Sequence, residues 1–233
     1  MSLPFFYSDE IKISSTTFFL NEETSKHVVQ VLRMLVGEQL NLTDGKGNLF
    51  TASILDNNRK KCSLKIISCV AQPLAAKSIS IAISLVKNNT RFEWFLEKAI
   101  EIGVNEIIPL LCTRTEKQNF KSERMKNIVV SAMLQSQQSW LPVLREPVKF
   151  NDVLLSTSQQ KFIAHCEDDF KEPLSDKLNT KLTESIILIG PEGDFTKEEI
   201  SAALQNNFIP VALGNTRLRT ETAGVVAATL LCI

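Results

Sequence analysis

The clearest structural signal lies in two stretches of the last third of the chain, SIILIGPEGDFTKEE (185–199) and VALGNTRLRTETAGVVAATLLCI (211–233). Each begins with a run of aliphatic residues that is typical of a buried strand, and each run ends at a turn that contains glycine. A helix is expected after both turns, because Thr196 and Glu199 form a capping-box pattern and residues 221–232 are almost wholly apolar. Two strand–turn–helix units predict an α/β protein with a mostly parallel sheet.

The preceding part of residues 77–233 shows the same alternation of strands and helices. Further strands are expected at 80–86, 106–111 and 161–166, and helices from Thr90 to Gly103 and from Ser122 to Gln138. Thr90 and Glu93 predict a capping box at the start of the first of these helices.

Residues 1–72 have a different pattern, which predicts a small barrel-like β module. Its five short strands are expected at 3–7, 16–20, 38–43, 49–55 and 62–70. A helix is expected at 23–35, with an apolar face made of Val28, Val31, Leu32 and Leu35. The glycine-containing stretch at 44–48 is typical of a hairpin loop, and the uncharged stretch at 71–76 is the expected linker.

Composition excludes several classes of protein. The chain has 233 residues, of which 44% are hydrophobic and 22% are charged. No run approaches the ~20 apolar residues of a membrane span, and the N-terminus lacks the pattern of a secretory signal. Five scattered cysteines without a C-x-x-C pattern favour reduced thiols and a cytoplasmic protein. Only two histidines are present, and no group has metal-ligand spacing, so no metal is expected.

The charge balance argues against a bulk polyanion binder, since 26 basic residues match 26 acidic ones. Residues 77–149 nevertheless hold 11 basic and 7 acidic side chains, which predicts a local basic surface. A dinucleotide-binding enzyme of the Rossmann type is a weaker alternative, because it would need a G-x-G-x-x-G motif after a strand and none is present.

A ligand site is expected where the two glycine-containing turns meet. Ligands of parallel sheets bind outside the carboxyl ends of the strands, which is where both turns lie. Arg217, Arg219 and Glu221 come directly before the apolar C-terminal helix, where an uncompensated charge costs several kcal/mol. The residues alone leave two interpretations open: a functional group of charges, or an arginine–glutamate pair that caps the helix.

Six blocks of the chain, in order and spacing, resemble the RsmE family of bacterial 16S rRNA (uracil-N3) methyltransferases of the SPOUT superfamily. The blocks are residues 27–38, 44–50, 96–115, 132–142, 189–199 and 213–223. The resemblance implies a PUA-like β-barrel at 1–72 and, at 77–233, a SPOUT domain with a deep trefoil knot. It also implies a homodimer that uses S-adenosylmethionine to methylate N3 of a specific uridine in 16S rRNA of the small ribosomal subunit.

The same resemblance implies a role for particular residues. The donor would be bound by Leu188, Ile189, Gly190, Pro191, Glu192, Gly193, Leu213, Gly214, Leu218, Arg219 and Thr220. Arg219 would stabilise the negative charge that develops on uracil, and Glu221 would orient Arg219 or accept the proton. RNA contacts would come from Arg33, Arg91, Lys98 and Arg114. Two departures from the family pattern are Asp194, where glycine is more usual, and Gln138, where arginine is common.

The sequence leaves two alternatives to this function open. One is a SPOUT methyltransferase with a different RNA target. The other is a ribosome assembly or RNA-binding factor that keeps the fold and has lost catalysis, against which the retained Arg219-Thr220-Glu221 stretch argues.

Overall fold

The computed structural model describes residues 3–116, 119–167 and 171–233. The chain divides into two compact units. The first comprises the described residues up to Leu74 together with 133–141, and the second comprises 75–132 and 142–233. The return of 133–141 to the first unit has no counterpart in the sequence pattern, and the boundaries at 72 and 77 stay a prediction.

The first unit is built on a five-stranded sheet. Its strands are β1 (Phe5–Tyr7), β2 (Thr17–Phe19), β3 (Gln39–Thr43), β4 (Asn48–Asp56) and β5 (Ser63–Ala71), in the order β1-β3-β4-β5-β2. All neighbours are antiparallel except β1 and β3, which are parallel. Phe50, Ala52 and Ile54 alternate along β4 and are buried, as expected for a strand with one face on the core. The five expected strands are therefore confirmed.

The helix expected at 23–35 is wrong in its length and in its buried face. A short helix, α1 (Glu22–Lys26), is followed by a π-helical turn at His27–Val31, and the following Arg33 has a φ of 55°. Of the four apolar residues expected to face inward, only Val28 is buried; Val31, Leu32 and Leu35 are 66%, 41% and 63% exposed. The β-branched valines of this stretch lower its helix propensity. Met34, rather than Leu35, is buried with Val28, and its N–H donates to the Val28 carbonyl at 3.0 Å.

The second unit contains an eight-stranded sheet in which every pair is parallel. The strands are β6 (Ser78–Ser84), β7 (Glu106–Leu111), β8 (Val143–Leu144), β9 (Val148–Lys149), β10 (Gln160–Ala164), β11 (Glu172–Pro173), β12 (Glu184–Ile189) and β13 (Ile209–Ala212). Their order is β11-β13-β10-β12-β6-β7-β8, and β9 also pairs with β7. The expected parallel α/β architecture is confirmed.

Six helices accompany this sheet among the described residues. They are α2 (Asn89–Ile102), α3 (Ser122–Gln135), α4 (Phe150–Val153), α5 (Leu174–Lys177), α6 (Lys197–Gln205) and α7 (Thr220–Cys232). The capping box of Thr196 and Glu199 at the start of α6 is confirmed, and so is Gly103 as the left-handed C-cap of α2. The capping box expected at Thr90 is wrong, because Asn88 is the N-cap and Glu93 pairs with Arg124.

The C-terminal helix α7 packs against α2 and β6. Gly224 lies against Phe95, and a Cβ at Gly224 would come within 2.5 Å of a carbon of that ring. The last turn of α7 is held by Lys77, whose Nζ donates to the Leu231 carbonyl at 3.2 Å. These contacts fix the start of α7 at the carboxyl end of the sheet, next to the loops that follow β12 and β13.

Candidate ligand-binding cleft

A cleft lies at the carboxyl ends of β10, β12 and β13, where parallel sheets bind their ligands. It consists of two adjoining cavities of about 590 Å³ and about 320 Å³. The walls they share are formed by Ala164, Cys166, Arg217, Leu218 and Ala223. Both volumes fall in the range of about 300–1,000 Å³ that is usual for small-molecule sites.

Most of the residues expected to bind a donor line this cleft. Leu213, Gly214 and Leu218 line the larger cavity. Ile189, Gly190, Pro191, Glu192, Leu218, Arg219 and Thr220 line the smaller one. Leu188, a residue of β12, is buried in the hydrophobic core, and neither it nor Gly193 is among the described residues that line the two cavities.

The loop after β12, residues 190–195, is held by contacts from two other segments. The Thr220 hydroxyl at the start of α7 donates to the Gly190 carbonyl at 3.0 Å. The Arg114 guanidinium, from the loop after β7, donates to the Gly193 carbonyl at 2.8 Å and to the Phe195 carbonyl at 3.3 Å. One wall of the cleft is thereby fixed before any ligand binds.

Asp194 joins this loop to the one that follows β10. Its φ of 63° lies in the left-handed region, which aspartate tolerates better than most residues. One carboxylate oxygen accepts the Cys166 N–H and the other accepts the Phe195 N–H, both at 2.8 Å. The departure from glycine at this position therefore adds two hydrogen bonds to the wall of the cleft.

The loop after β13 forms the opposite wall. Gly214 has a φ of 143°, and a Cβ placed on it would meet no atom within 4 Å, so backbone conformation rather than space favours glycine. Arg217 and Arg219 are exposed, and within the described chain neither guanidinium has a hydrogen bond or an ion pair. Two cations at the mouth of the cleft are thus available to a ligand or substrate.

Glu221, in the first turn of α7, is the buried charge beside the cleft. Its side chain is 8% exposed, and its nearest cation is Arg91, whose Nε lies 3.7 Å from Oε1. Its second oxygen, Oε2, has no hydrogen-bond partner in the described structure. Glu221 is therefore paired with Arg91, and the expected contact with Arg219 is not observed.

The four expected RNA contacts have different surroundings. Arg33 is exposed and lies in the first unit, where the described residues give its guanidinium no partner. Lys98 pairs with Glu97 at 2.7 Å and Glu101 at 3.1 Å, and the hydrogen bonds to these carboxylates raise the pKa of Lys98. Arg91 pairs with the carboxylates of Glu192 and Glu221, and Arg114 donates to the Gly193 and Phe195 carbonyls. The structure brings Arg91 and Arg114 to the loop after β12 and leaves Arg33 in a separate unit.

Several residues of the cleft were not identified from the sequence. The larger cavity is also lined by His165, Cys166, Glu167, Lys171, Asn215 and Thr216. Three of these come directly after β10, so the rule that ligands bind beyond strand ends could have identified them. Burial, with the charge of Asp194 second, raises the pKa of the Cys166 thiol, which therefore stays protonated at neutral pH.

The described residues offer neither a metal-binding cluster nor a membrane-spanning helix. Among residues 3–116, 119–167 and 171–233, no group of three His, Cys, Asp or Glu side chains could hold a metal ion. None of the helices in this described part combines the length and the apolar composition that crossing a bilayer requires.

Two family models match the chain. One covers the residues that form the eight-stranded parallel sheet, and the other lies within the residues that form the five-stranded sheet. A model of the RNA methyltransferase domain matches residues 73–232. A model of the RNA methyltransferase PUA domain matches residues 20–67.

Solved structures and curated relatives resemble nearly the whole chain. A "probable rRNA-methyltransferase" from Porphyromonas gingivalis is 37% identical with a TM-score of 0.91, covering 98% of both chains. A methyltransferase from Legionella pneumophila, solved with bound SAM, is 30% identical with a TM-score of 0.88 and covers 99% of this chain and 97% of its own. The ribosomal RNA small subunit methyltransferase E of Synechocystis sp. is 30% identical over 93% of this chain and 73% of its own length.

Proposed function

This chain belongs to the RNA methyltransferase family whose members join a PUA domain to an RNA methyltransferase domain, and we propose that it methylates N3 of one uridine in the 16S rRNA of the small ribosomal subunit. One observation supports this most directly. The two glycine-containing loops, whose sequences match the family pattern, form the two walls of a single cleft.

S-adenosylmethionine is the methyl donor, and the residues of the cleft fit it. Gly214 is exposed and leaves its backbone N–H and C=O groups accessible, as recognition of an adenine edge requires, and the buried Gly190 lines the smaller cavity. Ile189, Leu213 and Leu218 supply apolar surface for a nucleoside. The Legionella relative, which shares the fold along its whole length, holds SAM.

Bound S-adenosylmethionine supplies a methyl group on a positively charged sulfur, which needs no further activation. The residues of the protein must orient the uracil against that methyl group and exclude water. Uracil N3 carries a proton at neutral pH, so the chemical difficulty lies in removing that proton and stabilising the charge that develops on the ring oxygens.

Arg219 is suited to stabilise that charge. It lines the smaller cavity, and its guanidinium has no partner in the described chain, so its donors are available to uracil O2 or O4. A cation that is placed before the charge develops contributes more to catalysis than one that must reorganise.

Glu221, which follows the cavity-lining Thr220, is suited to accept a hydrogen bond beside that cavity. Its oxygen Oε2 is buried and unpartnered in the described structure, which is costly unless a donor arrives during function. That donor is the N3–H of uracil or the guanidinium of Arg219, so Glu221 acts as the base or as the residue that orients Arg219 once the substrate is bound.

RNA binding is assigned to the first unit and to basic residues of the second. Arg33 is exposed and has no carboxylate partner among the residues that the structure describes, so it is the first choice for a phosphate contact. Lys98 and Arg114 remain candidates, but their intramolecular partners reduce what they can contribute to RNA affinity.

The working form is a cytoplasmic homodimer in this proposal. Trp94, on α2, is 44% exposed and is the kind of large apolar side chain that a subunit interface covers. The cytoplasm is where the small ribosomal subunit is available as a substrate.

The function is tested by methyl transfer from labelled S-adenosylmethionine to small subunits that lack the modification, with naked 16S rRNA in parallel. The expected product, identified by mass spectrometry, is 3-methyluridine. Transfer to another nucleoside or another RNA would replace the proposed target. Donor binding without transfer to the subunits would contradict the proposal and favour another RNA target, whereas no donor binding at all would favour the assembly factor.

A further inference from the structure

Two carboxylates beside the cleft form ion pairs with the same arginine, Arg91. Arg91 lies in the first turn of α2, and its Nη1 is 3.5 Å from Glu192 Oε1 while its Nε is 3.7 Å from Glu221 Oε1. Glu192 belongs to the loop after β12, and Glu221 belongs to the first turn of α7. Arg91 therefore connects α2 to the loop after β12 and to the start of α7, and both of these segments contribute residues to the smaller cavity.

The negative charge of the buried Glu221 explains why its pairing with Arg91 matters to the reaction. A buried carboxylate is strongly destabilising when its cation is removed, and Glu221 is only 8% exposed. Arg219 lies two residues away and lines the same cavity as Glu192. If Arg91 were absent, Glu221 would lose the cation that pairs with it in the described structure. Arg219 would then be available to pair with Glu221 or Glu192, and such a pair would withdraw it from the substrate.

We propose that Arg91 is a positioning residue for methyl transfer: it holds Glu192 and Glu221 in place and leaves the Arg219 guanidinium free for the uracil. This inference rests on the proposed roles of Arg219 and Glu221. It replaces the phosphate contact that the family resemblance suggests for Arg91, and the two roles make different kinetic predictions. A phosphate contact contributes to RNA affinity, whereas a positioning role acts on the rate at saturation.

The chain supplies a matched control for removal of this arginine. Arg124 pairs with Glu93, also on α2, through two hydrogen bonds of 2.6 and 2.8 Å. This pair has better geometry than either contact of Arg91, and its residues are not among those that line the two cavities of the cleft. Arg124→Met, a change on α3, therefore removes the arginine partner of a glutamate on α2 and leaves the residues of the proposed site unchanged.

The experiment measures single-turnover methyl transfer to unmodified small subunits at saturating donor and subunit concentrations, together with the thermal unfolding midpoint. Arg91→Met is expected to lower the rate by about tenfold or more, Arg91→Lys to recover most of that loss, and Arg124→Met to stay within about twofold of wild type. A wild-type rate for Arg91→Met at saturation, with weaker subunit binding and weaker salt dependence, would establish the phosphate contact instead. Equal loss in Arg91→Met and Arg91→Lys, with a matching fall in the midpoint, would show a structural role and overturn the proposal.

A double variant separates this inference from the function on which it rests. The combined loss of rate in Arg91→Met with Glu221→Gln is expected to be smaller than the product of the two single losses, since both changes weaken the Arg91–Glu221 contact and only the Glu192 contact of Arg91 is independent of Glu221. Additive losses would contradict the inference alone. A wild-type rate for Glu221→Gln would remove the proposed role of Glu221, whatever Arg91→Met does.

Discussion

At the scale of single residues, Asp194 shows how a departure from a family pattern can add to a site. Its backbone conformation is one that glycine adopts most readily, with φ at 63°. The carboxylate compensates for this by accepting N–H groups from two segments, at Cys166 and at Phe195. The side chain thus ties together two loops that line the smaller cavity.

This arrangement predicts that Asp194→Asn weakens donor binding. The amide loses one of the two acceptor oxygens, and a net loss of about 0.5–1.5 kcal/mol corresponds to roughly a twofold to twelvefold increase in the dissociation constant. Calorimetric titration with S-adenosylmethionine measures this. Asp176→Asn, at an exposed position of α5, is the control and should leave the constant unchanged. Unaltered affinity in Asp194→Asn would show that the bridge between the two loops does not support the donor site.

At the scale of elements, the close approach of α2 and α7 depends on the absence of a side chain at Gly224. A Cβ there would lie 2.5 Å from Phe95 Cε2 and 2.8 Å from Ile83 Cδ1. Both neighbours are fully buried, so neither can move aside freely. The position of α7, which presents Thr220 and Ala223 to the cleft, follows from this packing.

Gly224→Ala is therefore expected to destabilise the protein by about 1–3 kcal/mol, as overpacking of a core does, even though alanine has the higher helix propensity. Denaturant unfolding measures the change in the free energy of unfolding. Thr229→Ala, at an exposed position of the same helix, should stay within about 0.5 kcal/mol of wild type. A stabilised Gly224→Ala variant would mean that propensity outweighs packing and that α2 and α7 have room to separate.

Local sequence patterns predicted the elements well where the deciding interaction is local. The Thr196–Glu199 capping box and the Gly103 C-cap involve neighbouring residues, and both were identified from the sequence. Arg91 reaches Glu192 and Glu221 from more than 100 residues away, so no local pattern shows that it pairs with them rather than with RNA. The π-helical turn at His27–Val31 was missed because the 3.6-residue period of its apolar residues is that of an ordinary helix.

At the scale of the whole molecule, the expected fold class is confirmed: a SPOUT methyltransferase domain with a mostly parallel sheet, preceded by a small PUA-like β-barrel. The first unit includes residues 133–141, which bind the loop at 44–48. The Gly47 N–H donates to the Ser139 carbonyl, and the Leu141 N–H donates to the Gly45 carbonyl, both at 2.9 Å. Residues 133–141 belong to the first unit but interrupt the sequence of the second, so neither unit is one continuous segment of the chain. Tests of function therefore need the full chain.

The central claim is that the cleft at the ends of β10, β12 and β13 binds the methyl donor and that Arg219 acts there on the RNA substrate. It is tested most directly by single-turnover methyl transfer to unmodified small subunits by wild-type protein, Arg219→Lys and Arg219→Ala, with donor affinity measured in parallel. The expected result is a rate about 100-fold lower for Arg219→Ala, a smaller loss for Arg219→Lys and a donor dissociation constant changed by no more than about threefold. A wild-type rate in Arg219→Ala would contradict the claim.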